Sequence, residues 1–143
     1  MSSRTPILAT VVSTEELTPH MVRIEFESEA LVQFPVGEFT DHYVKLQFPP
    51  PGASYEIPFD PAAVRESLPR DQWPRQRTYT VRAADPEAGR ITIDFVTHGS
   101  GLAGLWAASA RVGDPAQLIG PGGAYAPDPE ADWHLMAGDE AVI

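Results

Sequence analysis

Alternation of apolar and polar residues governs the chain. In "MVRIEFES", Val22, Ile24 and Phe26 fall on one face and Arg23, Glu25 and Glu27 on the other, which predicts a half-buried strand. "HYVKLQF" repeats the pattern, with Val44, Leu46 and Phe48 opposite Tyr43, Lys45 and Gln47. "ILATVVS" predicts a first strand. "RTYTVRA" and "RITIDFVTH" predict a pair around "ADPEAG", whose Asp, Pro and Gly supply turn chemistry. "AQLIG" predicts a further short strand, entered through the Gly113–Asp114 turn. About six strands of this kind point to an antiparallel barrel or sandwich.

Two segments depart from that period. Residues 49–74 are rich in proline and predict a long loop with one helical turn near "AAVRESL". Residues 102–110, "LAGLWAASA", carry Leu102, Leu105, Trp106 and Ser109 at helical spacing after a glycine-rich entry. They predict one helix, with Leu105 and Trp106 in the core. "GPGGAY" (120–125) reads as a turn: it resembles a phosphate loop but lacks the lysine such a loop needs, Lys45 being the chain's one lysine. The final "DWHLMAGDEAVI" predicts a loop, a buried strand over 134–137, a turn and the opening of another element. The expectation is of one domain over 1–131 and, over 132–143, the start of a second, truncated one.

A chain of 143 residues builds one domain with a real core. It has no cysteine, so disulfides and thiolate metal sites are excluded. The N-terminal apolar run is too short and interrupted for a signal peptide, and no stretch approaches the ~20 apolar residues of a membrane span. The expected location is cytoplasmic. Ten basic against twenty acidic residues leave a net charge of −10, which argues against nucleic acid or an anionic membrane as partner. The basic residues are uneven, however: Arg65, Arg70, Arg75, Arg77 and Arg82 crowd one stretch. A basic patch on an acidic body suits a small anion better than a polyanion.

"RTYT" (77–80) lies in that patch. Alternation puts Arg77 and Tyr79 on one face and Thr78 and Thr80 on the other. An arginine fork beside an aromatic ring can hold a phosphate while the ring meets a planar group. A surface strand whose arginine simply lies over its tyrosine is the alternative. In "THGSGLAGLWA" (97–107) a strand ends at His98, Gly99 and Gly101 follow, and a helix begins near Leu102. Free amides at a helix N-terminus make an anion site, and glycine lets a phosphate approach. A plain turn capped by Ser100 is the alternative here. His20, His42, His98 and His134 show no metal-ligand spacing, and no G-x-S-x-G elbow marks a hydrolase. Only His98 is placed to touch a ligand. Together the two motifs fit a dinucleotide with a flat ring system and a pyrophosphate.

The order of segments resembles the siderophore-interacting protein family within the ferredoxin-reductase-like flavoproteins. "DHYVKLQFP" (41–49), "RTYTVR" (77–82), "IDFVTHG" (93–99), "GLAGLWAASA" (101–110), "GD" (113–114), "GPGG" (120–123) and "DWHLMAGDEAVI" (132–143) follow in the family's order. The resemblance implies a mainly β fold: a six-stranded antiparallel Greek-key barrel with one helix, binding FAD. In the family a nicotinamide-binding α/β domain follows, of which only the start would be present here. The implied cofactor-binding set is Arg77, Thr78, Tyr79, Thr80, Asp94, Phe95, Val96, His98, Gly101, Leu102 and Ala103. Arg77 would meet the FAD phosphates, Tyr79 and Thr80 the isoalloxazine ring, and Gly101 to Ala103 the pyrophosphate. Asp94, Val96 and His98 would line the neighbouring strand. The segment between His98 and Trp106 is one residue shorter than the family's pattern.

The implied activity is flavin-mediated electron transfer to Fe(III) in a siderophore, releasing Fe(II). No side chain need act as acid or base, no metal is held by the chain, and NAD(P)H or ferredoxin serves as donor where the second domain is present. A flavin reductase with another acceptor, a flavin carrier without turnover, and an oligonucleotide-binding barrel are the rival readings. The net charge opposes the last.

Overall fold

The computed structural model describes residues 5–37 and 39–138. Seven strands form one sheet: β1 (Ile7–Thr18), β2 (Met21–Glu27), β3 (Tyr43–Phe48), β4 (Arg75–Thr80), β5 (Ala83–Asp85), β6 (Arg90–Val96) and β7 (Pro115–Gly122). Two helices, α1 (Pro61–Ser67) and α2 (Leu102–Ser109), join them, with 3-10 turns at Glu29–Gln33 and Arg70–Gln72. The strand order is β4-β3-β7-β1-β2-β6-β5, and every pairing is antiparallel.

Both edges of this sheet belong to one continuous stretch of chain. The amide of Val81 donates to His42 O at 2.7 Å beside β3, and the next amide, Arg82, donates to Thr92 O at 2.8 Å on β6. The chain therefore switches partners within two residues and closes the sheet into a barrel, which removes the open edges. The sequence reading of six strands counts β4 and β5 as one and pairs the whole of "RTYTVRA" with β6. Only Ala83–Asp85 pairs there, while Arg75–Thr80 pairs with β3. The return of β7 between β3 and β1, after β6 and α2, gives the Greek-key order.

Alternation placed the core correctly. Ile24, Phe26, Val44, Leu46, Ile93 and Phe95 point inward and are at most 1% exposed. Each such side chain contributes about 1.5–3 kcal/mol by burial. Gly89 closes the β5–β6 hairpin with φ 65°, and a Cβ there would lie 2.7 Å from Ser28 O, so glycine is required on both counts.

Four expectations are corrected. The loop at 49–74 holds a seven-residue helix, α1, where one turn was expected; Asp60 caps it by accepting from the Ala62 amide at 2.8 Å, and Pro61 opens it. In α2 the buried residues are Ala103 and Ala107, with Trp106 packed beside them, while Leu105 is 55% exposed. Positions 103, 106 and 107 share a helix face that 105 leaves, and the small alanines let α2 approach the barrel end. "GPGG" is not a turn: β7 runs to Gly122, which pairs with Tyr43. Beyond Leu118 its pairing with β1 has ended among the described residues, so a proline is tolerated there. Finally, residues 134–137 form no strand and are exposed, as are Trp133, Leu135 and Met136 at 75%, 80% and 69%. A closed barrel offers that segment no edge to pair with. The turn and element opening expected over 139–143 lie outside the described residues.

Candidate functional site

The arginine–tyrosine strand, β4, sits on the seam of the barrel. Its register with β3 sets Arg77 opposite Leu46 and Tyr79 opposite Val44, both inward-facing positions, and Thr78 and Thr80 opposite Lys45 and Tyr43 on the outer face. Tyr79 is half-buried, its ring 4.4 Å from that of Phe95 on β6. Burial pushes its hydroxyl pKa up, against a smaller opposing pull from the Arg77 charge. Phe95 is fully buried and lies 5.9 Å from Trp106 of α2. One file of rings thus joins β4, β6 and α2. Phe95 floors Tyr79 and presents no surface of its own.

Arg77 is exposed, and its guanidinium donates to Gln76 O at 2.8 Å. Among the described residues it has no acidic partner, and neither do Arg65, Arg70 and Arg75. In a chain with twice as many acids as bases, these arginines are left without carboxylates among the described residues, and Arg77 is still able to take an anion.

The second motif meets this one at the end of β6. Val96 closes the strand, and His98, exposed, begins the connection to α2. Gly99 and Gly101 have φ of 67° and 81°, and a Cβ on either would meet nothing within 4 Å. The turn is therefore open to an incoming group. Behind it, the amides of Leu102, Ala103 and Gly104 carry no hydrogen bond among the described residues, as expected at a helix N-terminus. No side chain caps α2. Free cationic arginine, unbonded amides behind an open glycine turn, and a tyrosine floored by a buried ring fit an anionic cofactor with a flat ring.

Asp94 is placed differently from its neighbours. It lies on the outer face of β6 opposite Arg23, whose Nε and Nη2 donate to its two oxygens at 2.7 and 2.8 Å. This fork raises the Arg23 pKa, chiefly through the hydrogen bond. Arg82 approaches the same carboxylate at 4.0 Å. Sequence reading missed Arg23, because nothing local reveals a partner 71 positions away.

A family model for the siderophore-interacting FAD-binding domain matches residues 10–125. The chain belongs to that family. A Mycobacterium tuberculosis protein is 46% identical over 136 residues, spanning 93% of this chain and 48% of its own length. Ferric vibriobactin reductase of Vibrio cholerae is 35% identical over 147 residues, spanning 96% of this chain and 51% of its own. A solved siderophore utilization protein from T. fusca superposes with TM-score 0.67 at 34% identity, over 90% of this chain and 49% of the other. The chain spans about half the length of the curated relatives it matches. At 12 and 13% identity, a ferredoxin-NADP+ reductase and a flavohemoglobin, each with TM-score 0.55, share the fold alone. The siderophore-interacting FAD-binding domain is thus a ferredoxin-reductase-like barrel, and FAD is its cofactor. No described helix is long and apolar enough to cross a membrane.

Proposed function

We propose that this domain is the flavin-holding part of a ferric-siderophore reductase, passing electrons to Fe(III) in a chelate so that the metal leaves as Fe(II). The observation that supports the reading is the Tyr79–Phe95–Trp106 file of rings, which joins the strand carrying Arg77, an arginine without an acidic partner among the described residues, to the helix that follows the open glycine turn. Arg77 would pair with the cofactor's pyrophosphate, shared with the amides of Leu102 and Ala103, while Gly101 leaves the approach clear. Tyr79 would bear on the flavin ring, with Thr78 and Thr80 offering hydroxyls from the outer face of the same strand. Val96, His98 and the Phe95 floor flank the ring's side of the site, and Asp94 acts from behind by locking β6 to β2 through Arg23.

FAD, when bound, supplies the electron transfer; the chain binds it, orients it and keeps its phosphates neutralised. The substrate in this reading is a ferric siderophore. NAD(P)H or ferredoxin is the donor of a complete protein, and the cytoplasm is its compartment. Residues 1–131 form the flavin domain and 132–143 the start of a nicotinamide-binding one.

The test is direct. FAD-loaded protein is reduced anaerobically with dithionite, desalted and mixed with a ferric siderophore, and Fe(II) is trapped with a chromogenic chelator. Iron release outpacing that from free reduced FAD is the expected result. Parity with free FAD at equal concentration overturns the reading.

A further inference from the structure

The glycines of "GPGG" have no part in the site described so far. Gly122 and Gly123 are not among the glycines with positive φ, so backbone conformation does not demand them. Close approach does. A Cβ on Gly123 would lie 2.9 Å from His42 Nδ1. A Cβ on Gly122 would overlap the Tyr43 ring at Cζ, with Oη at 2.6 Å and Cε1 at 2.7 Å. Such near-equal distances to the two neighbours of Cζ put that position over the face of the ring, not at its edge. Tyr43 therefore lies flat on Gly122.

Tyr43 stands on the outer face of β3, between Gly122 on β7 and Thr80 on β4. The ring leans onto β7, so the glycine backbone seals one of its faces, while 36% of the residue stays in solvent. On its other flank Thr78 and Thr80 are exposed. Directly opposed residues of neighbouring strands have Cβ atoms about 4.5–5.5 Å apart. The open side of Tyr43 thus borders the two hydroxyls that the outer face of β4 offers to the flavin. Tyr79 points to the other face of β4, onto Phe95. The two tyrosines serve opposite faces of one seam, and only Tyr43 presents a ring outward there.

We propose that Tyr43 is a specificity-determining platform for the ferric substrate, and that it favours chelates whose iron ligand carries an aromatic ring. The inference rests on the proposed function for its substrate class. A chelate that takes electrons from a flavin beside Thr78 and Thr80 must come to rest along that strip, where the Tyr43 ring is the adjoining wall. A ring already held flat by Gly122 gives up little freedom when a second ring packs on it. Aromatic pairing of this kind is worth about two- to tenfold in affinity beyond plain burial. Gly122 belongs to the device, because any side chain at that position would lift the ring from its seat.

The probes are gallium tris(benzohydroxamate) and gallium tris(acetohydroxamate). Both are neutral and hold the metal through the same oxygen donors, and only the first has rings. Ga(III) shares the charge and nearly the radius of Fe(III), but it is diamagnetic and is not reduced by flavin, so binding is read without turnover. The experiment is an NMR titration of the ¹³C-labelled 143-residue chain loaded with oxidised FAD. The Tyr43 ring signals are assigned by their loss in Tyr43→Leu. The benzohydroxamate complex should shift them saturably and bind about two- to tenfold more tightly than the acetohydroxamate complex. Tyr43→Phe should keep that preference, and Tyr43→Leu should lose it while holding FAD as tightly as the unmodified chain. Equal affinities for the two complexes, no shift with either, or a preference that survives in Tyr43→Leu overturns the proposal. Loss of FAD affinity in Tyr43→Leu also overturns it, because the ring would then belong to the flavin's own seat. A ring preference found together with iron release no faster than from free reduced FAD would uphold the platform and sink the reductase reading, so the two failures are distinguishable.

Discussion

Arg77 and Arg90 lie on adjoining segments of the same acidic chain, but in different company. Arg90 is held by Glu27 at 2.6 Å and Glu25 at 3.4 Å, whereas Arg77 faces no acid among the described residues. Arg77→Ala should therefore weaken FAD binding, and Arg90→Ala should not. Loss of a charge-assisted hydrogen bond costs roughly 1.5–3 kcal/mol, about ten- to a hundredfold in affinity. Flavin fluorescence titrations of the two variants check this, and superimposable curves would sink the assignment. Asp94 poses the opposite case. The resemblance places it along the cofactor, while its fork with Arg23 gives it a load to carry on the outer face. Asp94→Ala removes the fork from a guanidinium that keeps about a third of its surface in solvent, and should lower stability by at most about 1 kcal/mol, with FAD affinity of the folded protein close to unchanged. Chemical denaturation and flavin titration on the same sample separate the two roles. Full stability with lost binding would return Asp94 to the site.

At the scale of elements, strands with one face on the core were legible and their partners were not. Val22, Ile24 and Phe26 announce β2 by alternation, yet alternation carries no information about which strand lies alongside, so the switch from β4 to β5 at Val81 and Arg82 stayed hidden. The cap and first residue of α1, Asp60 and Pro61, were readable signals submerged in a proline-rich stretch. The buried face of Gln47 and Gln117 was beyond reach, because it depends on Phe59 folding over them from a distant segment. In the turn before α2, Gly101→Val should impair FAD binding while circular dichroism stays native, because the position has open space around it but a φ of 81° that a branched residue resists. Unchanged affinity would reduce the turn to a connector. The exit of β7 is pinned to the start of β3 by Asp41, whose Oδ1 accepts from the amides of Ala124 and Tyr125 at 2.9 Å each. Those bonds, Tyr125 first, lower the Asp41 pKa below its ordinary value. A depressed carboxylate stabilises above its unfolded pKa and loses that contribution as pH falls through the folded one. The pin should hold from neutrality through the onset of ordinary aspartate protonation and release only as pH falls through the lower folded value. The amide shifts of Ala124 and Tyr125 followed against pH report the release, and a midpoint above that of an ordinary aspartate would contradict the sign.

At the scale of the whole molecule, the described residues form a closed barrel followed, beyond β7, by a segment without helix or strand. Every described strand is used in the closure, and β4, β6 and α2 meet on one seam through the rings of Tyr79, Phe95 and Trp106. After Gly122 the described chain forms no helix or strand, and Trp133, Leu135 and Met136 stand in solvent. A nicotinamide must lie with its ring against the flavin to pass a hydride, and a dinucleotide of that kind is ordinarily held by a glycine-rich turn between a strand and a helix of an open α/β sheet. The described residues contain no such unit. FAD held by these 143 residues should thus be reduced at once by dithionite, which needs no binding site, and only slowly by NADPH. An anaerobic absorbance trace, with NADPH added first and dithionite second, reads both rates from one cuvette. Bleaching only at the second addition is the expected course. Rapid bleaching by NADPH would place a hydride site on the barrel itself and defeat this expectation. Because free FAD also reacts slowly with NADPH, the protein must be desalted after loading and the bound fraction taken from its shifted spectrum, so that the rate observed belongs to flavin on the seam.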